Sequence, residues 1–230
     1  MGRQQIKKFN KPAIVSEIDA ILSLDLYISE FSSIDTAVHR LSSEKRNNLL
    51  VLCEKIINDA KLYGNVKVRV ATAKLTVALI PLSLNLISRI IRTKKNKFIH
   101  EVHFSLFCFL DNVIHSSEKQ KYSGEIVLLV REYLMDIKTN SGSAAWMAGD
   151  LLGGHWEITE GVSTLIEVAQ EARFVAGRWS AVVGLGASLR RLDKPNLTEK
   201  KIVSVLRKIA ENDRSKQVRL ASRMILDENP

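Results

Sequence analysis

A tryptophan and an aspartate stand four positions apart in SGSAAWMAGDLLGGHW, residues 141–156. On a helix that spacing puts Trp146 and Asp150 on one face, a turn apart. Indole offers a flat apolar surface with one N–H donor, and a carboxylate can steady positive charge that develops on a substrate or is carried by a partner. His155 and Trp156 close the stretch after a Gly-Gly break, and Arg173, Arg178 and Trp179 follow. Residues 142–186 hold eight of the eleven glycines and all three tryptophans. That density fits either a pocket in which a ligand approaches the backbone or helices packed unusually close. Candidate partner-contacting residues are therefore Trp146, Asp150, His155, Trp156, Arg173, Arg178 and Trp179.

Other chemistry-bearing residues point to less. His100 and His103 lie three apart in KFIHEVHF and could share a helical face, but the HExxH spacing is absent and no third ligand is near, so no metal site is expected. There is no Walker loop and no GxSxG elbow, and the GLG at 184–186 lies inside a helical pattern, so no cofactor is expected. RIIRTKKNK at 89–97 reads as a solvated turn between helices, with contact to phosphate or an acidic protein as the alternative. Cys53 and Cys108 sit in apolar helical patterns without CxxC spacing, which predicts buried free thiols in a reducing cytoplasm. MGRQQIKKFNKPAIVSEID lacks an apolar core, so no secretory signal is expected. LTVALIPLSLNLISRII at 75–91 is broken by Pro81, Asn85 and Arg89 and reads as a buried helix pair, not a membrane span.

The elements that must position these residues are helical throughout. Apolar residues recur at helical spacing and no stretch alternates with period two, so the class is all-α. About ten helices are expected, over residues 12–30, 44–62, 66–80 and on past a kink at Pro81 to 82–92, then 98–116, 124–138, 143–153, 159–172, 175–192, 197–212 and 214–227. Pro12 suits a first turn, Pro81 a kink and Gly64 a C′ position, while Ser123, Thr159 and Asp213 sit where N-caps belong.

These helices repeat. AAWMAGDLLG at 144–153 aligns without gaps on GRWSAVVGLG at 177–186, pairing Trp146 with Trp179, Ala148 with Ala181 and Gly153 with Gly186. VRLASRMILD at 218–227 is a third copy, placing Arg219 on Arg178, and fainter echoes begin at Val68-Arg69 and Val102-His103. A helix pair of this length cannot bury its own apolar stripe, whereas stacked pairs can. The pattern V-R-x-x-A-A-x-x-L-G resembles the HEAT repeat, in the bacterial form also found in phycobilisome-lyase-like proteins. It is clear over residues 141–227 and weak before 120. The resemblance implies one α-solenoid domain over residues 1–230, of about five stacked helix pairs, with divergent repeats in 1–120 and clearer ones in 121–230. It also implies that the arginine pairs with an acid of its own repeat's turn, a role Asp213 would fill for Arg219.

On a helical wheel from Ala144, Met147, Ala148, Leu151 and Leu152 form the core stripe, while Trp146 and Asp150 come at about 200° and 240°, on the opposite face. In a HEAT-like stack that face lines the concave surface. An interaction module that binds a macromolecule there, most simply a protein, is the leading expectation. The net charge of +9 divides into +9 for residues 1–97, −5 for 98–186 and +5 for 187–230. The basic ends suit an acidic protein, or nucleic acid held without sequence preference. Trp-x-x-x-Asp followed by an arginine is also similar to the concave site of the HEAT-like alkylpurine DNA glycosylases. On that resemblance Trp146 would contact the lesion nucleotide, Asp150 would stabilise the developing cation and Arg178 would hold a phosphate.

Overall fold

A computed structural model describes residues 30–59, 64–93, 99–116, 118–138, 142–156, 158–192 and 197–229. Among them there are eleven α-helices and no strand: α1 Phe31–His39, α2 Ser43–Asn58, α3 Val66–Ala78, α4 Leu84–Arg92, α5 Ile99–Leu110, α6 Ser123–Asp136, α7 Gly142–Asp150, α8 Ile158–Glu171, α9 Val175–Arg191, α10 Leu197–Asn212 and α11 Lys216–Glu228. The helix expected over 12–30 lies, but for Glu30, outside the described residues, and α1 occupies a stretch the periodicity left unassigned. No helix among the described residues is long and apolar enough to cross a membrane.

From α2 onward the helices pack as pairs, α2 with α3, α4 with α5, α6 with α7, α8 with α9 and α10 with α11. Each pair also meets the next. The odd helices touch in the order α3, α5, α7, α9, α11, and the even helices α4, α6, α8 and α10 touch in theirs. The repeat register follows this order. Val68, Ala144, Gly177 and Val218 are each the third residue of their helix, Val102 is the fourth of α5, and all are buried.

The two rows are joined by different chemistry. Between even helices run ion pairs, Arg89 with Glu54, Arg92 with Glu132 at 2.9 and 3.2 Å, and Arg131 with Glu167, all half-exposed and each worth little. Between odd helices α7 and α9 the contact is backbone on backbone. A Cβ on Gly149 would lie 2.3 Å from the Ser180 carbonyl oxygen, one on Gly153 1.9 Å from that of Gly184, and one on Gly184 2.4 Å from that of Gly149. Close packing, not a ligand pocket, is thus what these three glycines serve.

Several helix ends differ from expectation. Ser123 is the first residue of α6 with no capping bond, and Thr159 lies inside α8. Asp213 precedes the α11 cap, Ser215, and accepts its N–H at 2.7 Å. Pro81, which has no N–H to continue α3, sits in a turn over residues 79–83 that separates α3 from α4. Beyond Asp150 the chain widens into one π turn, Leu151–His155, in which the Trp156 N–H donates to the Leu151 carbonyl at 2.8 Å.

Candidate functional site

Along α3, α5 and α9 most positions are buried, and α7, between α5 and α9, buries Ala144, Ala145, Ala148 and Gly149. On α7 the face opposite Ala144, Ala148 and Leu151 carries Trp146, which is 40% exposed, and Asp150, whereas Met147 is half-buried and packs against the core. An indole this exposed among the core-forming helices has no packing reason to be there. The equivalent position of α9 is Trp179, which is half-buried and packs against the core.

Asp150 has company that the sequence did not announce. The π turn swings His155 back over the end of α7, where its Nε2 lies 3.4 Å from Asp150 Oδ2 and its Nδ1 3.8 Å from Asp111 Oδ2. Asp111 opens the 3₁₀ turn after α5 and also accepts from Asn112 Nδ2 at 2.9 Å. Three elements thus bring two carboxylates and an imidazole together, one of the carboxylates a helical turn from the exposed indole. Only a contact map could have revealed Asp111, since nothing in its sequence neighbourhood marks it. Among the described residues no group of three or more His, Cys, Asp or Glu is arranged to hold a metal.

Three candidates take other places. Trp156 is fully buried, its indole N–H donating to Glu160 Oε2 at 3.3 Å, and cannot edge a docking face. Its carbonyl and that of Gly153, freed by the π turn, accept from Arg191 Nη1 at 2.7 and 3.0 Å. Arg178 is 3% exposed and spends its guanidinium inside the protein. Nε and Nη2 grip Asp213 at 2.7 and 3.2 Å, and Nη1 donates to the carbonyls of Ala172 and Arg173 at 2.9 and 3.1 Å. The pairing expected for Asp213 is therefore corrected. Its carboxylate serves the arginine of the preceding repeat, and Arg219 reaches only its backbone carbonyl. Burial alone would raise the Asp213 carboxyl, but the hydrogen bonds from Arg178 and the Ser215 N–H outweigh it and hold the group below its usual value. Arg173 is exposed at the start of α9, its guanidinium 5.4 Å from the Phe174 ring, at the other end of the odd helices from His155.

Comparison with protein-family models, with curated proteins and with solved structures found no match to this chain. The site must therefore be read from its own chemistry. It presents an apolar aromatic surface, two carboxylates that can accept or pair with a cation, and an imidazole between them. Arg178, which the glycosylase resemblance assigned to holding a phosphate, is enclosed and takes no part in it. The thiols divide: Cys53 is buried and pushed up to about 12 by desolvation, whereas Cys108 is half-buried, raised to about 11 by desolvation and the neighbouring Asp111.

Proposed function

We propose that this protein is a non-enzymatic interaction module of HEAT-repeat type, an α-solenoid whose odd-helix face, centred on Trp146, receives a protein partner. The order of contacts supports the solenoid reading: each helix from α4 to α9 meets its pair-mate and the helix two places on, as stacked hairpins do. A reducing, cytoplasmic setting suits the two free cysteines. The observation that carries the functional reading is the exposure of Trp146 beside Asp150, since desolvating an indole ringed by polar groups is how interface anchors earn their binding energy.

The charge around the indole argues for the kind of partner contact. Asp111 and Asp150 flank His155, so the segment that docks here offers a lysine or arginine to the carboxylates and an apolar face to the indole. An acidic partner would suit the basic ends of the chain instead. The test compares wild type with Trp146→Ala for retention of partner from the native host, together with 7-methylguanine release and binding to short DNA at two ionic strengths. Loss of partner in the variant, with no base released, is the expected result. Undiminished retention by Trp146→Ala, or base release abolished by Asp150→Asn, would overturn the reading.

A further inference from the structure

On one side of α7, α9 and α11 the same two positions reach the surface. The fifth and ninth residues are Trp146 and Asp150 in α7, Trp179 and Val183 in α9, and Leu220 and Met224 in α11. In α9 the other sides are taken: a Cβ on Gly184 would meet Gly149 of α7, one on Gly186 would meet Ile225 of α11, and Ala181 and Leu185 are fully buried. On the helical wheel Trp179 and Val183 hold the fourth side, so the three pairs lie in register across three packed helices. Leu220 and Met224 are 54% and 55% exposed, Trp146 is 40% exposed, and Trp179 and Val183 are half-buried. Apart from Asp150 the band is apolar, and an exposed apolar band that crosses three helices marks an interaction surface.

At α3 the chain itself supplies a cover. The ninth residue there is Lys74, which is buried with its Nζ 5.4 Å from the centre of the Phe109 ring, and on that ring stacks Phe31 of α1. α1 lies against α3 with Ile34 and Val38 buried and Phe31 packed on the core, a stripe at i, i+3 and i+7, and beside it Asp35 pairs with the buried Lys119. Spacing favours a helix over α7, α9 and α11 too. Packed helices stand about 8–10 Å apart and seven residues of an α-helix span about 10.5 Å, so a stripe repeated every seven residues sets one apolar group on each. Residues on one face of a strand recur every ~6.7 Å and fall out of step. One edge of the band is basic. Lys138, Arg173 and Arg214 lie exposed in the turns that lead into α7, α9 and α11. Lys138 and Arg173 stand 5.8 and 5.4 Å from the Phe174 ring, and Arg214 donates to the Arg173 carbonyl, which keeps the three together. Asp213, the acid in the last of these turns, is committed to Arg178.

We propose that a protein partner lays an amphipathic α-helix across α7, α9 and α11 on this side, its apolar stripe over Trp146, Trp179, Val183, Leu220 and Met224. A row of Asp or Glu on one flank meets Lys138, Arg173 and Arg214, and a lysine or arginine on the other meets Asp150. Such docking rests on the Trp146 face being the interaction surface, and adds the form and charge of the segment that binds. The probe is a helix-stapled peptide of two heptads with leucine at a and d, glutamate on one flank and lysine on the other. Two controls have the leucines scattered round the helix, or lysine in place of every glutamate. In heteronuclear NMR of the full chain the indole N–H signals of Trp146 and Trp179 should move with the probe, while that of the enclosed Trp156 stays. Each control should bind about tenfold more weakly, as should the probe to Met224→Glu or Arg173→Glu, both changes at exposed positions. A probe that binds no tighter than its controls, a Trp179 signal that does not move, or full binding by both variants would each overturn the proposal. If Trp146→Ala loses the native partner while the probe fails, only the crossing helix falls; if Trp146→Ala keeps that partner, the docking face falls first and the helix with it.

Discussion

Gly153→Ala should be among the most damaging single-atom additions to this protein, and Gly142→Ala among the most harmless. The new Cβ at 153 would stand 1.9 Å from the Gly184 carbonyl oxygen, 2.6 Å from its carbon and 2.9 Å from its Cα, all backbone atoms that no rotamer change can move aside. Ordinary contact requires well over an ångström of separation between α7 and α9. That displacement would also strain the bonds that Arg191 Nη1 and Ser188 Oγ make to the Gly153 carbonyl, at 3.0 and 3.3 Å. Overpacking costs about 1–3 kcal/mol and one lost hydrogen bond about 1 kcal/mol more, while the helical preference of Ala over Gly returns up to about 1 kcal/mol. The expected net loss is about 1–3 kcal/mol. At Gly142 nothing lies within 4 Å of the added atom, so only the propensity term remains and the change should be neutral to about 1 kcal/mol stabilising. Urea unfolding followed by circular dichroism measures both. A Gly153→Ala midpoint equal to wild type would refute the claim that α7 and α9 meet through their backbones.

Other contacts carry further outcomes. Arg178→Met leaves Asp213 buried without its partner and should cost about 3–5 kcal/mol in unfolding experiments. The Asp213 carboxyl is held below its unfolded value, so its contribution is present above that value, near pH 4, and is lost as pH falls through the lower folded one. Asp213→Asn should flatten that acid limb, seen as a melting temperature that no longer drops there. Leu152→Ala, at a fully buried position, should cost about 2–5 kcal/mol, whereas Trp146→Ala should leave the melting temperature nearly unchanged while abolishing partner retention. With a thiol reagent at pH 8, Cys108 should react slowly and Cys53 only on unfolding; equal rates would place Cys53 at the surface.

Helix type and most boundaries were legible because apolar period and N-terminal patterning agree over long stretches, as in 175–192 against the observed Val175–Arg191. Caps were less legible. Asp213 looks like an N-cap from its neighbours, yet its carboxylate faces an arginine 35 positions earlier, a contact that no local signal encodes. The helical wheel put Trp146 and Asp150 outside the core, and the structure has them there. It could not anticipate that a π turn would enclose Trp156 while returning His155 to Asp150, because Gly153-Gly154 permits the widened turn without requiring it.

The repeat position held by Arg178, Arg219 and His103 shows how one register can yield both rigidity and slack. An arginine there ties the end of one helix to the start of its mate, and in α9 it also ties that pair to the next, so Arg178 holds the Ala172 carbonyl behind it with one bond and the Asp213 carboxylate ahead of it with two. Histidine keeps the first tie and is too short for the second, and the junction of α4, α5 and α6 is also held by apolar contact and by the solvent-facing Arg92–Glu132 pair. A stack stiff at α8–α11 and looser at α4–α6 should therefore exchange amide hydrogens faster in α5 than in α9. His103→Arg should narrow that difference, and an unchanged exchange profile in the variant would show that the guanidinium, and not the packing of small residues, was wrongly given the locking role.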